Sequence, residues 1–216
     1  MSDIFREVDE EVRRDQLKKL WERYGIYIVA LAVLIVAGVG GWRGYEWWET
    51  KQAAENGTAF ESAIVLIEQG KNQEAEAALA KIAKEGTSTY RTLAKLREAA
   101  VLARRDPKAA VAMYDSIAAD SSVGQVQQDL AAVRAGYILV DSGSYDDVRK
   151  RLEPLTASNR AFRHSARALL ALAAWRANDA AAVRRWSDMV AADTETPVNI
   201  RGQVEMLITV APDSKS

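Results

Sequence analysis

Cysteine is missing from all 216 residues of this chain. Disulfides, thiolate metal sites and cysteine nucleophiles are excluded together, and the redox compartment is left open. Histidine occurs once, at His164. With no second His and no Cys near it, a zinc site lacks ligands, and a surface or half-buried histidine is the simpler reading. Proline does not appear before Pro107, and strand-like runs are nearly absent. Net charge is lacking too: the formal total is −1, and from Glu49 onward 22 Lys plus Arg face 22 Asp plus Glu. A neutral domain has no electrostatic footprint for nucleic acid, so that partner class drops out. Without disulfides the domain must be held by its packed core, which about 160 residues can supply.

What is present is one long apolar run, Gly25 to Gly41, reading GIYIVALAVLIVAGVGG without a charge between Arg23 and Arg43. As a helix of 17 to 19 residues it spans roughly 26–29 Å, close to the hydrocarbon thickness of a bilayer. Nine of its residues are Ile, Leu or Val, each favouring insertion by about 0.3–0.6 kcal/mol. Trp21, Tyr24 and Tyr27 flank one end, and Trp42, Tyr45, Trp47 and Trp48 the other, as interfacial rings do. A core helix of this length would carry a polar face. A cleaved signal peptide would have a shorter apolar core and a less acidic lead. An uncleaved anchor is therefore expected. Arg13, Arg14, Lys18, Lys19 and Arg23 precede the run, whereas only Arg43 and Lys51 follow it closely. The positive-inside rule puts the N-terminus in the cytoplasm and the remaining chain across the membrane.

Before the anchor, Ile4, Val8 and Val12 fall at i, i+4 spacing, and Leu17, Leu20, Trp21 and Tyr24 continue the stripe. This segment reads as an amphipathic lead-in, either solvated or docking a cytoplasmic partner. Near the far end of the anchor, Ala37 with Gly41 and Gly40 with Gly44 offer small residues at four-residue spacing. Such a stripe permits close approach of another membrane helix.

Beyond Trp47 the composition favours helix, with short breaks at Gly70-Lys71-Asn72, Arg105-Asp106-Pro107, Gly143-Ser144 and Asn178-Asp179. The breaks share a register. At the same offsets from Gly70, Arg105, Gly143 and Ala177 come Ala75, Leu79 and Ile82; Ala110, Tyr114 and Ile117; Val148, Leu152 and Leu155; and Ala182, Trp186 and Met189. The registers are spaced by 35, 38 and 34 residues. A small residue followed by two large ones on one helix face, near a 34-residue period, is the second-helix pattern of tetratricopeptide repeats. The first helices match less well: Gly136 occupies a small consensus position, but the Trp, Leu and Tyr around it are absent. A non-repetitive helical bundle is the alternative. A last helix, roughly 197–210, would cap the array.

No catalytic constellation emerges. No nucleophile elbow accompanies His164. Asp146-Asp147 reads as helix-start capping. Gly38-x-Gly40-Gly41 lies inside the apolar run and is no phosphate loop. Arg149-Lys150-Arg151 and Arg184-Arg185 read as solvated faces with acids nearby. Helical repeats instead present a curved surface to other polypeptides. Tyr90, Tyr114, Tyr137, Tyr145, Trp175 and Trp186 are divided between that surface and the core in a way that sequence does not sort.

WERYG entering the anchor, GWRGYEWW leaving it, AFESAIVLIEQGK opening the repeats and the further stretch TYRTLAKLREAAVLARRD resemble a known family over nearly the whole chain. It is the ancillary SecYEG translocon subunit of the bacterial inner membrane, with periplasmic tetratricopeptide-like repeats. The resemblance implies association with the translocon, with a membrane-anchored periplasmic isomerase-like chaperone and with exported client chains. It also implies a cytoplasmic regulatory contact through the N-terminus, which is longer and more acidic here than the family form. It carries over no individual functional residue.

The expected fold is all-α: one N-terminal transmembrane helix, then a tetratricopeptide-like α-solenoid of about four helix pairs and a capping helix. The expected divisions are a cytoplasmic amphipathic segment over 1–23, the transmembrane helix over 24–43, and a periplasmic juxtamembrane linker over 44–52. The repeat domain covers 53–211, and a disordered tail covers 212–216. The expected role is a non-enzymatic, cofactor-free adaptor in the bacterial inner membrane, binding proteins and the lipid bilayer. A scaffold for envelope assembly or cell division is the alternative. Replacing Leu34 by Asp in mid-run should cost about 2.5–3.5 kcal/mol of insertion and release the protein from membranes; retention through carbonate extraction would contradict the anchor.

Overall fold

The computed structural model describes residues 3–210, with side chains described at Lys18 and from Trp21 to Thr209. The expected tail over 212–216 lies outside the described residues. So do the side chains of Ile4, Val8, Val12, Leu17 and Leu20, on which the amphipathic lead-in was read. Among the described residues there are helices and no strand. They are α1 (Asp3–Glu68), α2 (Asn72–Glu85), α3 (Ser88–Leu102), α4 (Pro107–Ala118), α5 (Gln125–Ser142), α6 (Tyr145–Leu152), α7 (Arg163–Arg176), α8 (Ala180–Ala192) and α9 (Val198–Val210), with a 3₁₀ turn at Glu153–Thr156. The chain divides into two compact units, Met1–Gln52 and Ala53–Ser216.

In the first unit the described residues all belong to α1. From Ile26 to Gly44 every side chain is exposed, and the stretch is long and apolar enough to cross a membrane. An export signal meets the same requirement of length and composition. At its ends the Arg23 guanidinium lies 5.9 Å from the Tyr24 ring, and the Lys51 ammonium 5.7 Å from the Trp47 ring. These contacts draw basic groups along the aromatic belts.

The second unit is a solenoid of helix pairs. Each helix from α2 to α9 packs on its neighbour in sequence, and α5 also meets α7 and α7 meets α9. Such nearest-neighbour packing makes the array quasi-one-dimensional. The turns follow from the residues at the breaks. Gly70 adopts a φ of 75° and Asn178 one of 56°, left-handed conformations that glycine and asparagine tolerate. Both close Schellman motifs: Lys71 N–H donates to Leu66 O at 2.9 Å, and Asp179 N–H to Ala174 O at 3.0 Å. The starts of α4 and α8 are capped by side chains. Asp106 Oδ1 accepts from Ala109 N–H, and Asp179 Oδ1 from Ala182 N–H, each at 2.9 Å. Ser144 and Asp147 form a reciprocal capping box at α6.

The core runs between these layers in three clusters. Ala63, Leu79, Ile82, Ala94 and Val101 form the first, with Phe60 and Tyr90 packed on it. Ala99, Val111, Tyr114, Ile117, Val123, Ala131 and Ala135 form the second. The third gathers around Trp186, which is fully buried together with Leu152, Leu170 and Val190.

Small residues set the helix spacing. A Cβ built on Gly136 of α5 would lie 2.7 Å from a methyl carbon of Leu152 and 3.1 Å from its Cγ and second methyl, and Leu152 is itself fully buried. The glycine is what lets α6 lie against α5. Gly136→Val should therefore overpack this contact and destabilise the fold by about 1–3 kcal/mol; an unchanged melting curve of the full chain in detergent would contradict it.

Candidate protein-binding face

The sequence-selected positions take clear places. Ala75, Leu79, Ile82, Ala110, Tyr114, Ile117, Val148, Leu152 and Leu155 are all buried. Leu155 reaches the core from the 3₁₀ turn rather than from α6, because Pro154 cannot donate to a continuing helix. In α8 the buried arc is turned by one residue: Val183, Trp186 and Val190 are buried, while Ala182 and Met189 are only partly so. This helix packs on both α7 and α9, so its core face is shared between two partners. Ala37, Gly40, Gly41 and Gly44 are exposed, and a Cβ added at any of the three glycines would meet nothing within 4 Å.

The aromatics divide. Tyr114 and Trp186 are core, Tyr90, Tyr145 and Trp175 are half-buried, and Tyr137 is exposed. Trp186 Nε1 donates to Tyr145 Oη at 2.8 Å, and the Arg185 guanidinium covers its ring at 4.4 Å. Arg149 pairs with Asp146 and Glu153, Arg151 grips Asp115 through two nitrogens at 2.8 and 2.9 Å, and Arg185 meets Glu153. Asp147 belongs to the capping box, and its bonds from Ser144 hold its carboxyl below the usual range. These charges are committed to the fold.

His164 is tied into a polar hub at the start of α7. Its Nδ1 lies 3.2 Å from Thr196 Oγ1 and 3.7 Å from Asp193 Oδ2. Thr196 Oγ1 donates to Val190 O at 2.9 Å and is buried. A hydroxyl and a carboxylate that share one ring nitrogen do not form a relay, in which the nucleophile and the acid take opposite nitrogens. Burial first, then the Arg163 and Arg167 charges, depress the histidine pKa against the pull of Asp193. Among the described residues, no group of three or more His, Asp or Glu converges as metal ligands.

The surface that does converge lies on the first helices of successive pairs. Phe60 of α1, Leu93, Leu96, Arg97 and Ala100 of α3, Tyr114 of α4, and Leu130 and Arg134 of α5 enclose a groove of about 210 Å³. Tyr137 of α5, Ala168, Leu169 and Leu172 of α7, and Gln203, Val204, Met206 and Leu207 of α9 enclose a second, of about 430 Å³. Leu130, Arg134 and Tyr137 stand at i, i+4 and i+7, one stripe of α5, so both grooves open on the same side of that helix. Leu93, Tyr137 and Met206 are exposed there. Sequence reasoning did not single out this face. Its signal was an apolar stripe on α3 and α5 beyond the residues needed for the core, interrupted by arginine.

Residues 18–180 match the tetratricopeptide repeat-like domain family. The chain belongs to that family. No curated protein and no solved structure matches it. A tetratricopeptide-like array is typically a non-enzymatic protein-interaction module, and the shared apolar face of α3, α5, α7 and α9 is the surface here with that character. The match begins at Lys18, so it takes in the apolar run as well as the repeats as far as the start of α8.

The hub around Asp193 makes a pH prediction for this repeat array. Arg163 Nε and Arg167 Nη1 donate to Asp193 Oδ2 at 2.9 and 2.7 Å, and Arg163 also pairs with Glu195. The Arg163 bond above all, with Arg167 and the Glu195 N–H, holds the Asp193 carboxyl far below the usual range, although burial opposes it. A carboxylate with a depressed folded pKa stabilises the fold above its unfolded pKa, about 3.9, and that contribution is lost as pH falls through the folded value. Asp193→Asn should lower the melting temperature at pH 7 and show a shallower fall than the native protein below about pH 4. Parallel melting profiles of the two proteins would contradict this role.

Proposed function

We propose that this protein is a non-enzymatic, single-pass adaptor of the bacterial inner membrane. Its N-terminus is cytoplasmic and its repeat domain periplasmic, beside the SecYEG translocon and a membrane-anchored isomerase-like chaperone. There it assists newly exported chains. The observation that carries the reading is an exposed, largely apolar repeat face on the same chain as an uncharged, aromatic-flanked run of membrane-spanning length. Excess Lys and Arg before the run support the orientation. The resemblance of WERYG and GWRGYEWW to the ancillary translocon subunit supports the location.

Anchoring explains how shallow grooves suffice. Tethered near the channel exit, the repeat face meets emerging chains at high effective concentration, so individually weak contacts give useful occupancy. Such clients must also leave again, which a modest, open surface allows. The small residues Ala37, Gly40, Gly41 and Gly44 are the proposed contact with channel helices, since nothing stands beside those glycines to block close approach.

Photo-crosslinkers at Trp42 and Tyr137 in living cells test the reading. Channel subunits and an anchored chaperone captured at Trp42, with nascent exported chains at Tyr137, are the expected outcome. Captures confined to division or wall-synthesis proteins would replace the adaptor with an envelope scaffold.

A further inference from the structure

The groove between α3 and α5 carries two guanidiniums among apolar walls. Arg97 of α3 and Arg134 of α5 both line it, together with Phe60, Leu93, Leu96 and Leu130, and no carboxylate does. Both arginines are exposed, and neither takes part in an ion pair among the described residues. Of the acids on the same helices, Asp129 pairs with Arg160 at 3.2 Å and Asp141 pairs with Arg176. Asp120, just beyond α4, is bonded to Ser122 and Lys95. The two positions are 37 residues apart, about one repeat, and so stand at matching places on successive first helices. Both line the groove beside Tyr114, and each guanidinium draws the phenol's pKa down, against the larger upward push of burial.

We infer that this groove docks a partner polypeptide segment in which an Asp or Glu side chain is flanked by aliphatic or aromatic residues. The carboxylate would sit between the two guanidiniums, and the flanking residues would enter against Leu93, Leu96 and Leu130. Charge complementarity selects the occupant. Two unpartnered arginines beside apolar walls leave an acid-free segment with nothing to offset their desolvation, whereas a carboxylate offers both of them charge-assisted hydrogen bonds. Planar guanidiniums suit that recognition better than ammonium groups. An anionic lipid headgroup would satisfy the arginines but would leave the apolar walls uncovered. The inference rests on the repeat face being a protein-binding surface and adds the chemistry of what one part of it reads.

The test uses the full chain in nanodiscs of zwitterionic phosphatidylcholine. A random 12-residue peptide library is selected in parallel against the native protein and the R97Q/R134Q variant. Selection on the native protein should enrich peptides with Asp or Glu beside Leu, Ile or Phe. A synthesised representative should bind the native protein at least tenfold more tightly than it binds the variant, and tenfold more tightly than its own Asp→Asn or Glu→Gln analogue does. Its affinity should fall with added salt, and R97K/R134K should lie between native and variant. Binders without an acid preference, or equal enrichment on both proteins, would overturn the inference. So would full competition by phosphatidylglycerol vesicles, which would assign the arginines to lipid. If acid-free peptides win while Tyr137 crosslinks still capture exported chains, only this inference fails; absence of both signals removes the protein-binding reading as well.

Discussion

Close approach of helices at small side chains is the constraint on which the array depends. Ala63, Ala75, Ala94, Ala99, Ala110, Ala131, Ala135, Ala166, Ala171 and Ala174 are completely buried. Alanine buries little apolar area itself, about one methyl's worth, so its contribution is geometric. It brings backbones near enough for the fewer large residues, Leu79, Tyr114, Ile117, Leu152 and Trp186, to fill the grooves between helices. Gly136 against Leu152 is the extreme case. Because each helix meets mainly its sequence neighbours, every such contact acts locally, and the array has no central core to absorb a misfit.

Much of this was legible in the sequence for one reason. The second helix of each pair must present a small residue and then two large ones to its neighbours, and that requirement recurs once per repeat. Breaks at Gly70 and Asn178 were readable because a left-handed residue ends both helices. The α8 register was not, since Ala180, Ala181, Ala182 and Val183 are all apolar and periodicity alone cannot choose among them. Nor was the binding face. Tyr114 and Tyr137 both sit in apolar surroundings in sequence, yet one is buried and the other exposed. What separates them is whether a further helix covers them, which is a property of the stacking rather than of the local pattern.

The arginines show how a neutral domain organises charge. Arg105 reaches Glu76, Arg151 reaches Asp115, Arg160 reaches Asp129, Arg163 reaches Asp193 and Arg176 reaches Asp141. The separations are 29, 36, 31, 30 and 35 residues, each near the length of a repeat. A side chain that reaches one repeat away joins elements that the nearest-neighbour core leaves to adjoining helices. The more exposed of these pairs, Arg105–Glu76 and Arg176–Asp141, add little free energy each, typically under about 1 kcal/mol. The effect of the pairs is on orientation, since a bidentate grip such as Arg151 on Asp115 fixes the angle between α6 and α4 as well as their distance. Against that pattern, two arginines at matching positions on α3 and α5 that face an apolar groove without a carboxylate cannot be serving the same purpose. Arg91, Arg104 and Arg184 are also exposed without an ion pair among the described residues, so what sets Arg97 and Arg134 apart is their shared place in one apolar groove, where a carboxylate brought by another molecule would meet both.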